Sequence, residues 1–452
     1  MKKNLFEKII ALPARGLEEI VEDAAKATGA IPGLTRVKRY WRILGPGLTT
    51  GAADDDPAGI TTYSQAGAKY GFQLLWLSAL TFPLMSVIQE MCARIGLVTG
   101  RGLAGNIRRH FPRSVLIVCT VLLFLANTFN IGADLGAMAQ ATQLLLPQVS
   151  FSVLVIGFSL ISILLQIFTP YALYAKYLKW LALVLLAYIV SAFLADLNWS
   201  AVLVNAVIPS ITFSKDQIFL ICAVFGTTIS PYLFFWQTSQ EVEEEIVAGK
   251  TKVRQRKNPS ASEIKNMRID VWSGMFLSNL VMFFIIATCG AVLMANGITE
   301  ITTSAQAAEA LRPLAGDATY ILFVVGIIGT GLLAIPVLAG SSSYAIAESF
   351  GWKMGLYRKL KEAYSFYGVI IFSMLFGLAL NFIGIDPIKA LIWSAVANGL
   401  IAPVILVLIV ILSSRKKIMG KWRNSTLTTV LGWIVVAIMS LVSVATVVSL
   451  FQ

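Results

Sequence analysis

Apolar runs of about 20 residues, the length that crosses a bilayer as a helix, recur eleven times along this chain. They run roughly over 43–66, 72–97, 115–146, 151–170, 177–196, 217–241, 270–295, 319–347, 365–382, 387–412 and 427–451. Hydrocarbon offers no partner to a backbone N–H or C=O, so each run must satisfy its own backbone as a helix. With 57% hydrophobic and only 13% charged residues, no water-soluble domain fits the composition. The sequence predicts an all-α membrane protein of about eleven transmembrane helices, with the lipid bilayer as its surroundings.

The net charge of +12 is distributed in a way that excludes a nucleic-acid surface. The cations gather between the runs, on alternate connections: Arg101, Arg108, Arg109 and Arg113, then Lys176 and Lys179, then Lys250, Lys252, Arg254, Arg256 and Lys257. Lys353, Arg358, Lys359 and Lys361 follow, then Arg415, Lys416, Lys417, Lys421 and Arg423. By the positive-inside rule these connections face the cytoplasm. A cytoplasmic (inner) membrane protein with its N-terminus inside and its C-terminus outside is expected. Residues 1–42 are amphipathic and are expected to form a cytoplasmic segment, lying on the membrane surface or left as a disordered tail, without the apolar core of a cleaved signal peptide. The transmembrane core is expected over 43–412, with one repeat over 43–196 and a second over 217–412; a basic loop and eleventh helix follow over 413–452.

Inside the first run stands Gly51-Ala52-Ala53-Asp54-Asp55-Asp56-Pro57-Ala58-Gly59. Acids within a membrane span are expensive and mark functional sites. Pro57 removes a backbone donor and disfavours helical geometry at Asp56, so the helix should break there. A carboxylate and freed carbonyls would then face a cavity, the way secondary transporters build cation sites. The sixth run carries a matching interruption, Gly226-Thr227-Thr228-Ile229-Ser230-Pro231-Tyr232. Pro57 and Pro231 stand at corresponding places five spans apart, which predicts a 5+5 inverted repeat with helices 1 and 6 broken and the two breaks facing each other.

Further polar residues lie in the spans. Asn127, Asn130 and Asp134 share one face of the third, either as an ion path or as interhelical hydrogen bonds. Gln89 lies in the second span beside Glu90, which is expected to pair with Arg94 one turn on. Asn398 can face the site or serve helix packing, and Gly326, Gly329, Gly331 and Gly340 read as close-packing positions. The acids of residues 241–245 are expected to form a solvated face, with an exit vestibule for cations as the alternative. Cys92, Cys119, Cys222 and Cys289 are scattered without metal-ligand spacing. His110, the single histidine, falls in a basic loop, so most zinc and iron chemistry is excluded within the membrane. No nucleophile with a histidine partner, phosphate loop or cofactor motif is present, so no enzyme and no cofactor are expected.

The sequence resembles the Nramp (natural resistance-associated macrophage protein) family of divalent-metal transporters. Gly45-Pro46-Gly47, Asp56-Pro57-Ala58-Gly59, Gln65-Ala66-Gly67-Ala68, Leu74-Leu75-Trp76, Gly96-Leu97-Val98-Thr99-Gly100 and Ala133-Asp134-Leu135 carry the resemblance. It implies the LeuT-type fold and metal ligands at Asp56, position 59, the Thr227 carbonyl and position 230. The departures lie in those ligands. The family usually has Asn where Gly59 stands, a Met thioether at Ser230, and histidines at Tyr232 and Gln237. The acid that often follows the third-span Asp134 by three residues is Ala137.

An all-oxygen site suits hard ions, and a roomy one suits Mg²⁺, which keeps its water. These swaps resemble the Nramp-related branch of magnesium transporters. They predict a secondary transporter moving Mg²⁺ and Mn²⁺ by alternating access, with proton coupling left without its usual histidines. Asp54, Asp55, Gln89, Asp134, Tyr232, Gln237 and Asn398 are expected along the pathway or behind the ligands. A proton-coupled Mn²⁺/Fe²⁺ importer and a LeuT-type carrier of an organic solute are the alternatives. No protein partner is indicated.

Overall fold

The computed structural model describes residues 39–195, 197–212, 214–301, 303–383 and 387–451; the amphipathic segment expected before residue 39 lies outside them. In chain order the helices are α1 (Pro46–Asp54), α2 (Pro57–Tyr70), α3 (Trp76–Thr99), α4 (Leu103–His110), α5 (Arg113–Leu145) and α6 (Phe151–Phe168). Next come α7 (Tyr171–Leu181), a 3₁₀ turn, α8 (Leu186–Leu194), α9 (Trp199–Val207), α10 (Lys215–Thr228) and α11 (Pro231–Val247). The last are α12 (Ala261–Val292), α13 (Ser304–Phe350), α14 (Tyr364–Leu380), α15 (Pro387–Ser414), α16 (Lys416–Met419) and α17 (Thr426–Phe451).

Every expected span has its helix. Among the described residues, eight are long and apolar enough to cross a membrane by length and composition. The remaining three are the broken pair α1–α2, the Glu90- and Arg94-bearing α3, and the shorter α14. Large apolar side chains such as Val118, Leu160, Phe193, Phe372 and Leu441 point outward, as they should against lipid.

Several helices overrun their apolar runs. α12 begins at Ala261, where Ser260 and Glu263 form a reciprocal capping box, well before the apolar stretch at 270. α11 continues to Val247, and α13 begins at Ser304 with a non-helical Gly316 inside it. Hydropathy measures the hydrocarbon crossing; a helix persists into the polar zone wherever caps and neighbours support it.

Both proline breaks form, with the same backbone course. Asp55 (φ −87°, ψ 48°) ends α1 and extended Asp56 (φ −66°, ψ 168°) caps α2. Ile229 (φ −108°, ψ 57°) ends α10 and extended Ser230 (φ −85°, ψ 133°) precedes Pro231. α1 packs against α11 and α2 against α10, so the two broken helices run antiparallel, as an inverted repeat requires.

Glycines allow the close approach around this pair. A Cβ on Gly51 would sit 2.2 Å from the Gly274 carbonyl oxygen, so α1 crosses α12 backbone to backbone. On α13, Gly326 lies under Tyr188, Gly329 under Val184, Gly331 under Met138 and Gly340 under Trp236, confirming the packing role of these positions.

The start of α1 is held by Asp270 of α12. Its carboxylate accepts from the backbone N–H groups of Gly45 (2.7 Å), Gly47 (2.7 Å) and Leu48 (3.0 Å). Lys179 closes the same corner, donating to the Trp41 and Leu44 carbonyls. Asp270→Ala leaves three helix-terminal donors unmet and is expected to lower stability by about 2 kcal/mol, the upper end for a lost N-cap. Thermal melting in detergent measures it; an unchanged midpoint means water replaces the carboxylate without loss.

The acids at 241–245 overturn their reading as a solvated face. Glu241, Glu243 and Glu245 are buried. Glu243 accepts from the Tyr344 hydroxyl (2.6 Å) and from the backbone N–H of Leu356 (3.0 Å) and Tyr357 (3.2 Å). Glu244 accepts from Tyr171 (2.9 Å) and Glu245 from Lys250 (3.2 Å). The run is a fastener for the connections around α11. Glu90 likewise does more than pair within its own helix: Arg268 (2.8 Å) and Trp272 (3.0 Å) of α12 donate to it, with Arg94 at 3.4 Å.

Candidate metal site

The site lies where the two breaks meet. Asp56 is held by its own helix, because its Oδ1 accepts from the Gly59 N–H at 2.7 Å. That bond places the carboxylate at the positive end of α2. Across the junction, the Tyr232 hydroxyl from α11 donates to the Ala53 carbonyl (2.8 Å) and lies 3.3 Å from Asp56 Oδ2. Tyr232 thus stitches the break in one helix to the start of the other.

Gly59 is the most informative position. A Cβ built there would stand 3.1 Å from the Asp54 carbonyl oxygen, 3.2 Å from Thr227 Oγ1 and 3.4 Å from Asp56 Oδ1. One small volume is therefore ringed by a carboxylate, a carbonyl and a hydroxyl from three residues. The Asp54 carbonyl was not expected there; the break at Asp55 leaves it outside any continuing helix. Thr227 presents its hydroxyl there, while its carbonyl, the group anticipated from sequence, accepts from Ser230 (2.9 Å).

Ser230 is turned the other way. Its hydroxyl donates to the Gly226 (2.6 Å) and Thr227 (2.9 Å) carbonyls, tying off the end of α10. Only its oxygen lone pairs remain for a ligand in this arrangement.

The neighbouring acids divide. Asp54 Oδ2 accepts from Ser278 of α12 at 2.7 Å, a partner with no sequence signal. Asp54 Oδ1 and both carboxylate oxygens of Asp55 and Asp134 are buried without a hydrogen-bond partner. Asp134 lies on α5 beside the start of α2, where Ala133 and Ala137 pack against Ala58. Asn127 and Asn130, its companions on that face, are spent on helix contacts: Asn127 donates to Ser341 (2.8 Å), Ser342 and the Leu338 carbonyl, and Asn130 accepts from Ser394. Structural bonding engages both asparagines, with Asn127 Oδ1 left unpartnered, and leaves Asp134 apart.

Gln89, Gln237 and Asn398 are buried but make no hydrogen bond to the three carboxylates. Gln237 donates instead to Glu241, 2.9 Å away and one turn on. Gly399, beside Asn398, packs on Cys222 and Gly226 of α10 and its carbonyl accepts from Ser443.

Asp54, Asp55 and Asp56 are exposed by 0%, 0% and 1%, and among the described residues none forms an ion pair. Nor do three acidic, histidine or cysteine side chains converge on one point there. A cation bound here would meet one or two carboxylates and otherwise neutral oxygens.

The family model for natural resistance-associated macrophage protein-like chains matches residues 47–449. The divalent metal cation transporter MntH of Klebsiella pneumoniae (strain 342) is 26% identical over 400 residues, spanning 88% of this chain and 91% of that one. The solved Eremococcus coleocola manganese transporter aligns with a TM-score of 0.69 at 18% identity, over 91% of this chain and 87% of that one. Mhp1, a nucleobase-cation-symport-1 family transporter, aligns at 0.55 and 16% identity, over 90% and 92%. These likenesses extend beyond any single helix pair: the fold is the LeuT type, with helices 1 and 6 broken. The relatives are named as transporters, and this multi-pass membrane chain is no enzyme. With the model matched across almost its whole length, the chain belongs to the natural resistance-associated macrophage protein-like family.

Proposed function

We propose that the chain moves divalent metal cations across the cytoplasmic membrane by alternating access, through a hard, oxygen-only site that accepts Mg²⁺ and Mn²⁺. One observation carries the reading. Buried carboxylates without a cationic partner sit at the meeting of two helix breaks, beside a volume ringed by three oxygens. Removing several carboxylates from water without a counter-charge is costly, and a divalent cation offsets it.

Asp56, the Asp54 carbonyl and Thr227 form the proposed ligand set, with Ser230 contributing a lone pair. Tyr232 positions Asp56. Gly59, with no side chain, leaves room for a water retained on the ion, which Mg²⁺ gives up reluctantly. The N-terminus lies inside and the C-terminus outside, following the charge asymmetry of the connections. Gln89, Gln237 and Asn398 border the pathway.

A second reading, a proton-coupled Mn²⁺ importer, is favoured by one residue: Asp134, buried next to α2 with both oxygens unpartnered, is a ready proton acceptor. Uptake into proteoliposomes separates the two. Saturable entry of Mg²⁺ and Mn²⁺, without acidification of the lumen, is expected. Preference for Cd²⁺ with Mg²⁺ ignored, or metal-dependent proton entry, overturns the first reading in favour of the second.

A further inference from the structure

A polar cavity that shares no lining residue with the candidate metal site has the opposite chemistry. It encloses 530 Å³ between three connections: the turn from α3 to α4, the loop before α12 and the loop from α15 to α17. These join spans two to three, six to seven and ten to eleven, so they lie on the same face of an eleven-span chain whichever way it is oriented. Arg101, Arg109, Lys257, Lys416, Lys417 and Lys421 line it, and no acid does. Among the described residues, none of the six is in an ion pair.

From these features we propose that the cavity binds a phosphate-bearing anion with two or more negative charges.

The wall is built rather than incidental. Asn106 bridges the Thr99 hydroxyl (2.9 Å) and the carbonyls of Arg101 (3.1 Å) and Gly102 (2.9 Å), fixing the turn that presents Arg101. Asn424 bonds Ser413 (2.9 Å) and accepts from Arg94 of α3, anchoring the loop that presents the lysines. Asn258 carries the one positive φ outside glycine among the described residues, 66°, a strained backbone held at the cavity rim. The indole N–H of Trp422, another lining residue, has no acceptor in the protein.

The electrostatics agree. The His110 side chain is pushed below its ordinary value by burial and by Arg415 and Arg109. Arg101 is lowered by burial and by Arg109, with Glu348 opposing and Arg256 adding. Like charges destabilise one another across this space, and an anion relieves several at once. Six cations exceed what one inorganic phosphate needs, and the volume suits a diphosphate. The same chemistry is offered by a soluble polyphosphate and by a two-phosphate lipid headgroup at the bilayer edge.

Thermal unfolding of the purified chain in neutral detergent tests the proposal. Pyrophosphate is compared with chloride at equal ionic strength, and cardiolipin with phosphatidylcholine. A saturable rise of several degrees in Tm is expected with pyrophosphate, cardiolipin or both; the responding ligand names the source. The combined variant Lys416→Gln, Lys417→Gln, Lys421→Gln should lose the rise. Lys252→Gln, Arg254→Gln, Lys265→Gln, on the same face outside the cavity, should keep it. No rise with either ligand, or equal rises in both variants, overturns the proposal. Should the first variant not fold, wild-type chain settles it: pyrophosphate or cardiolipin must protect Lys416, Lys417 and Lys421 from an amine-acetylating reagent, and equal labelling with and without them overturns the site.

Discussion

Asp56→Ala should abolish saturable metal uptake, a loss of at least a hundredfold in apparent affinity, about 2.7 kcal/mol, while leaving the protein folded. The substitution removes the acid at the junction of both breaks and the hydrogen bond that caps α2 at Gly59. Losing the cap costs roughly 1 kcal/mol. Relieving a buried, unpaired carboxylate offsets part of that, so the two stability effects oppose each other. Asp56→Asn retains the cap acceptor without the charge and isolates the metal contact. Asp54→Ala should be milder, because the Asp54 side chain turns toward Ser278 while its backbone carbonyl faces the Gly59 position. Asp55→Ala should be milder too. Uptake kinetics measured beside a melting curve decide the matter. Wild-type kinetics in Asp56→Ala would remove it from the ligand set, and equal losses for all three acids would point to a diffuse electrostatic mouth instead.

The fold was legible because a membrane compresses the choices. Length, apolarity and the alternation of basic loops set the number of helices, and proline beside unsatisfiable acids marked where two of them break. What stayed hidden depends on contacts distant in sequence. Ser278 meets Asp54 across 224 positions, and Asp270 caps α1 across 225. A lone serine or acid on an apolar helix carries no trace of such a partner. The acids at 241–245 misled for a related reason: α11 outlasts its apolar run, and the stretch around Leu356 and Tyr357 folds over the surface that hydropathy leaves to water. The site was half legible. Acids beside a proline pointed to Asp56 and the family resemblance to the Thr227 carbonyl, but only the backbone course at Asp55 brings the Asp54 carbonyl and the Thr227 hydroxyl beside Gly59. The direction of the Ser230 hydroxyl, back onto α10, is likewise a matter of local geometry.

Restoring the family's usual groups by Ser230→Met with Gly59→Asn should reverse the selectivity. Met at 230 removes the hydroxyl that occupies the Gly226 and Thr227 carbonyls, freeing the end of α10, and adds a soft thioether. Asn at 59 enters the oxygen-ringed volume; its Cβ, 3.1–3.4 Å from three oxygens, is tighter than an ordinary contact, so those groups must yield by a few tenths of an ångström, and its amide takes the space proposed for a retained water. A thioether favours Cd²⁺ over hard ions, so Cd²⁺ affinity should rise about tenfold, the worth of one modest contact at ~1.4 kcal/mol. Mg²⁺ uptake should fall, since Mg²⁺ gains nothing from sulfur and loses the space for its water. Competition between the two ions in proteoliposomes, wild type beside double variant, reads both changes. Either single substitution should give part of the effect, because the two groups approach the ion from different helices. Unchanged Cd²⁺ affinity with Mg²⁺ uptake intact would mean the ion binds away from Gly59 and Ser230. In that event the buried, unpartnered Asp134, packed beside the start of α2, becomes the acid around which the site must be redrawn.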